Sequence, residues 1–131
     1  MTKIKSKYLI FGALIIIIIT ATVAWFLLFK GPKSTQQTAV DQFAQCLKHK
    51  GAVLYGAFWC SHCKNQKKIF GSSADLLPYV ECSTPDGKNQ LPICQEKTIE
   101  SYPTWIFGDN SRVVDEMSFK QLSDKTGCPL P

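Results

Sequence analysis

Hydrophobic residues follow two different patterns along this chain. Residues 8–29 (YLIFGALIIIIITATVAWFLLF) form twenty-two positions without a charge. From residue 38 onward the apolar positions become periodic and are broken by turn-forming residues. Residues 38–48 set Val40, Phe43, Ala44 and Leu47 at helical spacing, with Thr38 as the expected N-cap and Gly51 closing the helix. Residues 52–59 (AVLYGAFW) are a short apolar run without alternation, which predicts a strand buried on both faces. A helix is expected from Cys60 to about Phe70, and a second strand over residues 78–82. Pro85-Asp86-Gly87 suits a tight reversal, and residues 91–99 predict a short helix with Pro92 in its first turn. Residues 104–107 and 112–114 read as two strands joined through Gly108-Asp109-Asn110. Ser118 with Gln121 three residues on makes a capping box for a last helix, stopped by Gly127.

This order of elements implies an α/β domain, with a central mixed sheet flanked by helices. The early strands should be parallel and the last pair antiparallel. The chain of 131 residues contains no internal repeat and suits one domain. The expected organisation is a short N-terminus (1–7), a transmembrane helix (8–29), a polar tether (30–37) and a globular domain (38–131).

As a helix, residues 8–29 would be about 33 Å long, enough to cross a hydrocarbon core of about 30 Å. Trp25 and Tyr8 stand near its ends, where amphipathic rings favour the interface. Lys3, Lys5 and Lys7 outweigh Lys30 and Lys33, which favours a single-pass protein of the inner membrane with its N-terminus in the cytoplasm and its domain in the periplasm. The alternative is a signal peptide cut after Ala24, though this would leave the apolar WFLLF exposed. No Cys follows the apolar run, which excludes a lipoprotein cut. Either way the domain faces an oxidising compartment.

The net charge of +5 adds little. The first thirty residues hold four Lys and no acid, leaving eleven Lys+Arg against ten Asp+Glu in the rest. No basic patch supports nucleic-acid binding.

The chemistry should lie where Trp59-Cys60-Ser61-His62-Cys63 ends a buried strand and begins a helix. Two thiols at C-x-x-C spacing lie about one turn apart and can close a small disulfide. The helix dipole and its unpaired N–H groups favour a thiolate on Cys60, while Cys63, one turn inside, suits a resolving role. Zinc sites use the same spacing, but His62, Cys82 or Cys94 would have to complete the tetrahedron and no second tight C-x-x-C exists. A purely structural disulfide is the remaining alternative. His62 can stabilise a neighbouring thiolate, making the disulfide more oxidising within the span of about 150 mV that such sites cover. Pro103, just ahead of a strand, would alone be read as a trans strand-starter. Beside a C-x-x-C unit a cis bond becomes the better expectation.

Together WCSHC, Tyr102-Pro103-Thr104 and the element order resemble the thioredoxin-like superfamily over roughly residues 38–128. FAQCLKHKGAVLYGAFWCSHCKNQKKIFG, PYVECS and the Cys94 helix are similar to the thioredoxin-like domain fused to bacterial homologues of vitamin K epoxide reductase. The resemblance implies Cys60 as nucleophile and Cys63 as resolving thiol. It implies that Pro103 shapes a substrate groove and blocks metal capture, with Trp59, Tyr102 and Thr104 bordering that groove. It implies a quinone-reducing membrane partner, which here would be a separate protein because this chain has one expected span. The acid that thioredoxins bury six residues before the first cysteine is here Leu54, so Glu81 on the neighbouring strand becomes the candidate proton acceptor.

The other cysteines, Cys46, Cys82, Cys94 and Cys128, allow three pairings if Cys60 joins Cys63. The preferred set is Cys82–Cys94, bracketing the turn, with Cys46–Cys128 tying first helix to last; Cys82–Cys94 could instead form a second redox pair. The leading functional expectation is a membrane-anchored thiol–disulfide oxidoreductase acting on exported proteins that contain Cys, as oxidase or isomerase, with no cofactor and no metal of its own. A reductase of the cytochrome c maturation type and a non-catalytic thioredoxin-like binding module are the alternatives.

Overall fold

A computed structural model describes residues 2–28 and 34–131, with side chains described over 11–26 and from residue 34 onward. The chain divides into two units between residues 33 and 34. In the first, helix α1 runs over Thr2–Leu28. Its described apolar side chains are exposed. The hydroxyls of Thr20 and Thr22 donate to the carbonyls of Ile17 and Ile19, at 3.0 and 2.9 Å. Among the described residues no helix is long and apolar enough to cross a membrane. The expected span over 8–29 and the tether over 30–37 lie partly outside the described residues.

The second unit is an α/β domain. Helix α2 covers Thr35–His49 and starts three residues earlier than Thr38. Ser34 is its cap, accepting the Gln37 N–H at 3.2 Å, while the Thr38 hydroxyl donates back to the Ser34 carbonyl. The side-chain cap therefore lies six residues upstream of Val40, the first buried residue of the helix, where apolar periodicity does not reveal it. Strand β1, Val53–Gly56, is shorter than the apolar run that predicts it. The Cys60 N–H turns back to the Ala57 carbonyl at 3.0 Å, and this reversal feeds helix α3, Ser61–Lys68.

A 3₁₀ segment, Gly71–Leu76, follows where the sequence pattern marks no element. Its anchor is polar: Ser73 is fully buried, accepts from the Gln37 amide and donates to the Asp41 carboxylate at 2.5 Å. Strand β2 is Tyr79–Glu81 and helix α4 is Pro92–Glu96, with Pro92 in its first turn. Helix α4 stops short of residue 99 because Thr98 takes a positive φ of 51°. Strands β3, Thr104–Ile106, and β4, Arg112–Val113, precede helix α5, Phe119–Thr126. Ser118 and Gln121 form the capping box, and Gly127 closes α5 at a φ of 73°.

The sheet has the order β2-β1-β3-β4, with β1 parallel to β2 and antiparallel to β3, and β3 antiparallel to β4. This is the expected mixed sheet. The larger core joins Phe43 and Leu47 of α2 to Leu54, Phe70, Trp105, Phe107 and Leu122. Burying each such side chain contributes about 1.5–3 kcal/mol. The Phe119 ring meets Phe43 and Phe70 edge-on, at 5.3 and 4.9 Å. A Cys46–Cys128 disulfide links α2 to the chain beyond α5. A second disulfide, Cys82–Cys94, lies in a smaller cluster with Tyr55 and Ile99.

Candidate active site

Strand β1 delivers the chain to Cys60, which caps α3: its Sγ accepts the Cys63 N–H at 3.2 Å. The geometry follows from the sequence, since Cys60 takes the extended backbone of an N-cap at the point where β1 has ended. Both Cys60 and Cys63 are free thiols, 7% and 1% exposed. Cys60 Sγ also lies 3.6 Å from the Tyr102 carbonyl. The Tyr102–Pro103 peptide bond is cis. The turn between β1 and α3 and the proline loop ahead of β3 thus meet at one sulfur.

Cys63 is the deeper thiol. Burial pushes it up from 9.0 to about 12, and the hydrogen bond it gives Cys60 adds to the effect. Its space is made by Gly56, where an added Cβ would stand 2.8 Å from Cys63 Sγ and 3.0 Å from Tyr79 Cε2. Leu54, at the position of the acid found in thioredoxins, is completely buried.

Glu81 sits at the end of β2, opposite Gly56. One carboxylate oxygen accepts the N–H groups of Phe58 and Ser83, at 3.1 and 2.9 Å. The other accepts the Tyr79 hydroxyl at 2.9 Å. Burial, then this bond to Glu81, pushes the Tyr79 hydroxyl above its ordinary range, so it stays protonated. Among the described residues no hydrogen bond joins Glu81 to Cys63. Glu81 instead holds Tyr79, whose ring edge lies beside the Gly56 backbone next to Cys63 Sγ.

The surface around Cys60 is aromatic. Trp59 is half exposed, donates its indole N–H to Ser83 Oγ at 2.9 Å, and meets the Tyr102 ring edge-on at 5.9 Å. Gly87, at a φ of 73°, lets the turn between Thr84 and Asn89 close over Trp59 and Phe58. The Tyr102 hydroxyl accepts from the Gln90 amide at 2.7 Å. Pro103 is buried. The Thr104 side chain departs from the expected groove position. It is 2% exposed and its hydroxyl donates to the Ser101 carbonyl at 2.6 Å, so it braces the proline loop from within.

His62 points outward from the first turn of α3. Its Nδ1 lies 2.6 Å from Glu116, which also accepts from the Asn65 amide at 3.2 Å. Glu116 escapes a sequence reading because it lies 54 residues away, in the loop before α5. Gln66, which accepts the Met117 N–H, and Tyr79 are equally hidden, whereas Lys67, whose Nζ sits over the Tyr79 ring, follows Cys63 by four residues and so falls on that thiol's helix face. Cys82 and Cys94 are bonded to each other and so cannot complete a zinc site with the C-x-x-C pair.

Comparison with known proteins agrees with this geometry. The thioredoxin family model matches residues 34–125. Over 92 residues the chain is 44% identical to thiol-disulfide oxidoreductase LTO1 of Arabidopsis thaliana, covering 66% of this chain and 24% of that protein. It is 30% identical over 93 residues to protein disulfide-isomerase A5 of Bos taurus, covering 62% of this chain and 18% of the relative. Against protein disulfide-isomerase A5 of Mus musculus the identity is 33% over 104 residues, covering 70% and 19%. The chain thus spans about a quarter or less of the length of these relatives.

Proposed function

The chain belongs to the thioredoxin family, and on that premise we propose that it is a membrane-anchored thiol–disulfide oxidoreductase whose C-x-x-C pair exchanges with cysteines of exported proteins. The observation that carries this reading is the pair of free thiols one helical turn apart, with the outer sulfur against the cis-proline loop. Cys60 attacks or is attacked, and Cys63 releases the partner through the internal disulfide. In the oxidase direction a substrate dithiol becomes a disulfide while the Cys60–Cys63 disulfide takes up two electrons and two protons. His62 tunes the exchange, Pro103 shapes the contact with substrate, and Trp59 and Tyr102 line it. Glu81 acts on Cys63 through Tyr79. The names of the relatives support the exchange chemistry.

The anchor is residues 8–29. Its support is the uncharged run itself, the helix over Thr2–Leu28, and threonine hydroxyls that find acceptors within that helix, as an apolar surrounding demands. Two disulfides outside the C-x-x-C pair favour an oxidising compartment, hence a periplasmic domain. For reoxidation we propose a quinone-reducing membrane oxidoreductase as partner, on the similarity of this domain to those fused to homologues of vitamin K epoxide reductase.

The test uses the full chain in detergent with a reduced, unfolded, cysteine-containing protein. Cys63→Ser should accumulate a mixed disulfide through Cys60, and Cys60→Ser should be silent. Exchange by the natural chain no faster than by Cys60→Ser would leave a binding module instead. A potential more negative than about −250 mV would reverse the direction to that of a reductase.

A further inference from the structure

Both directions of thiol exchange pass through the same buried state. To close onto a Cys60–substrate disulfide, Cys63 loses its proton to water and its thiolate attacks the Cys60 sulfur. The Cys60–substrate S–S bond then breaks, and the substrate sulfur leaves with the electron pair and takes a proton from water. In the opposite direction a substrate thiolate attacks Cys60, the internal S–S bond breaks, and the pair leaves on Cys63. A thiolate must therefore exist on a residue that is 1% exposed. Burial of this kind opposes charge unless a compensating group is near.

Among the described residues that face Cys63, Cys60 lies on its own helix cap, Tyr102 on the proline loop, and Tyr79, which bonds Glu81, on β2. None of these is positive, and the Tyr79 and Tyr102 hydroxyls are bonded to Glu81 and Gln90. Among the described residues one cation acts on the same thiol. Lys67 follows Cys63 by four residues, so α3 presents the two on one face. Its Nζ lies 3.2 Å from the centre of the Tyr79 ring. The edge of that ring abuts the Gly56 backbone beside Cys63 Sγ. Tyr79 is fixed in turn by its bond to Glu81, so the ring is a rigid seat joining the ammonium to the neighbourhood of the sulfur.

We propose that Lys67, seated on the Tyr79 ring, is a positioning residue whose charge stabilises the Cys63 thiolate in both half-reactions; this rests on the oxidoreductase reading above. Glu81 then acts indirectly, holding Tyr79, which in turn holds Lys67. The field of Lys67 opposes the burial that raises the Cys63 thiol. Leu54 leaves no acid on β1 to serve that thiol, and the cation on the next turn of α3 meets the need from the other side.

The experiment loads Cys60 of the full chain with thionitrobenzoate and follows release of the coloured thiol as Cys63 closes the internal disulfide. Lys67→Gln should slow release roughly three- to tenfold at neutral pH and move its pH profile upward, as loss of a nearby favourable charge requires. Lys67→Arg should restore both rate and profile. Release within about twofold of the natural chain in Lys67→Gln, or equal slowing by Gln and Arg, overturns the assignment. If Cys60 in Cys63→Ser forms no adduct, the oxidoreductase reading falls and takes this assignment with it. A normal adduct that closes at an unchanged rate in Lys67→Gln removes Lys67 alone.

Discussion

Gln66 holds Met117 by both polar groups of its backbone. Its Oε1 accepts the Met117 N–H at 2.5 Å, and its Nε2 donates to the Met117 carbonyl at 2.9 Å. The glutamine is 1% exposed, and the same Oε1 lies 3.4 Å from the Trp105 indole nitrogen that donates to it. Because Gln66 is three residues after Cys63, this clamp ties the active-site helix to the loop that carries Glu116.

Gln66→Leu keeps the volume but strands the Met117 N–H and carbonyl. Each buried unsatisfied group costs about 1–3 kcal/mol, so a loss of about 2–6 kcal/mol is expected in urea unfolding. A loss below about 0.5 kcal/mol would mean that water replaces the clamp.

If His62 tunes the exchange as proposed, Glu116, 2.6 Å from its Nδ1, opposes that action on Cys60. Removing it by Glu116→Gln should make the Cys60–Cys63 disulfide more oxidising, and His62→Ala should make it less so. Both side chains are partly exposed, 65% for His62 and 34% for Glu116, which limits the effect. A pair of that kind is worth at most about 1 kcal/mol, or about 20 mV on a two-electron couple. Equilibration with glutathione measures it. If Glu116→Gln still shifts the potential when His62 is Ala, the carboxylate acts by another route.

The raised thiol of Cys63 makes stability depend on pH in the reduced form. Its folded value, about 12, lies above the ordinary 9.0, so the folded state holds the proton more tightly. The resulting stabilisation is complete below pH 9 and is lost as pH rises toward 12. The disulfide form lacks this titration, while Tyr79 contributes a loss of the same sign to both forms. Unfolding midpoints from pH 8 to pH 11 should therefore fall more steeply for the reduced domain. Parallel slopes would contradict the assignment to Cys63.

Gly56→Ala places a methyl group 2.8 Å from Cys63 Sγ and 3.0 Å from the Tyr79 ring. Overpacking of this kind costs about 1–3 kcal/mol. It should also displace Cys63 and speed its alkylation, read by mass spectrometry in a Cys60→Ser background. Unchanged stability and alkylation would show that the two neighbours yield freely.

The two disulfides should differ in weight. Cys46–Cys128 spans 82 residues and Cys82–Cys94 spans 12. Chain-entropy arguments assign them about 4.5 and about 3 kcal/mol. Paired Ser substitutions followed by thermal unfolding compare them. Loss of Cys82–Cys94 should also free the turn over Phe58 and Trp59, seen as a change in Trp59 fluorescence.

Much of the fold was legible because its signals are local. The apolar run before Cys60, the capping box at Ser118 and the glycine at residue 127 each act within a few residues. The early start of α2 was not legible, since Ser34 caps it outside the apolar period. Neither was the 3₁₀ segment, which is anchored by Ser73 to residues of α2. At the site, the two thiols and the proline loop stood out as motifs, whereas their partners did not.

From its sequence alone this chain declared an uncharged anchor-length run, a mixed α/β domain, and a thiol pair at a strand-to-helix junction. These follow from hydropathy, periodicity and capping, which are properties of neighbouring residues. Only the tertiary structure decided that Glu116 would take His62, that Gln66 would clasp Met117, and that Tyr79 would carry Lys67 beside Cys63. Those contacts join residues distant along the chain, and side chains so far apart meet only where packing of the sheet and helices leaves them no other place.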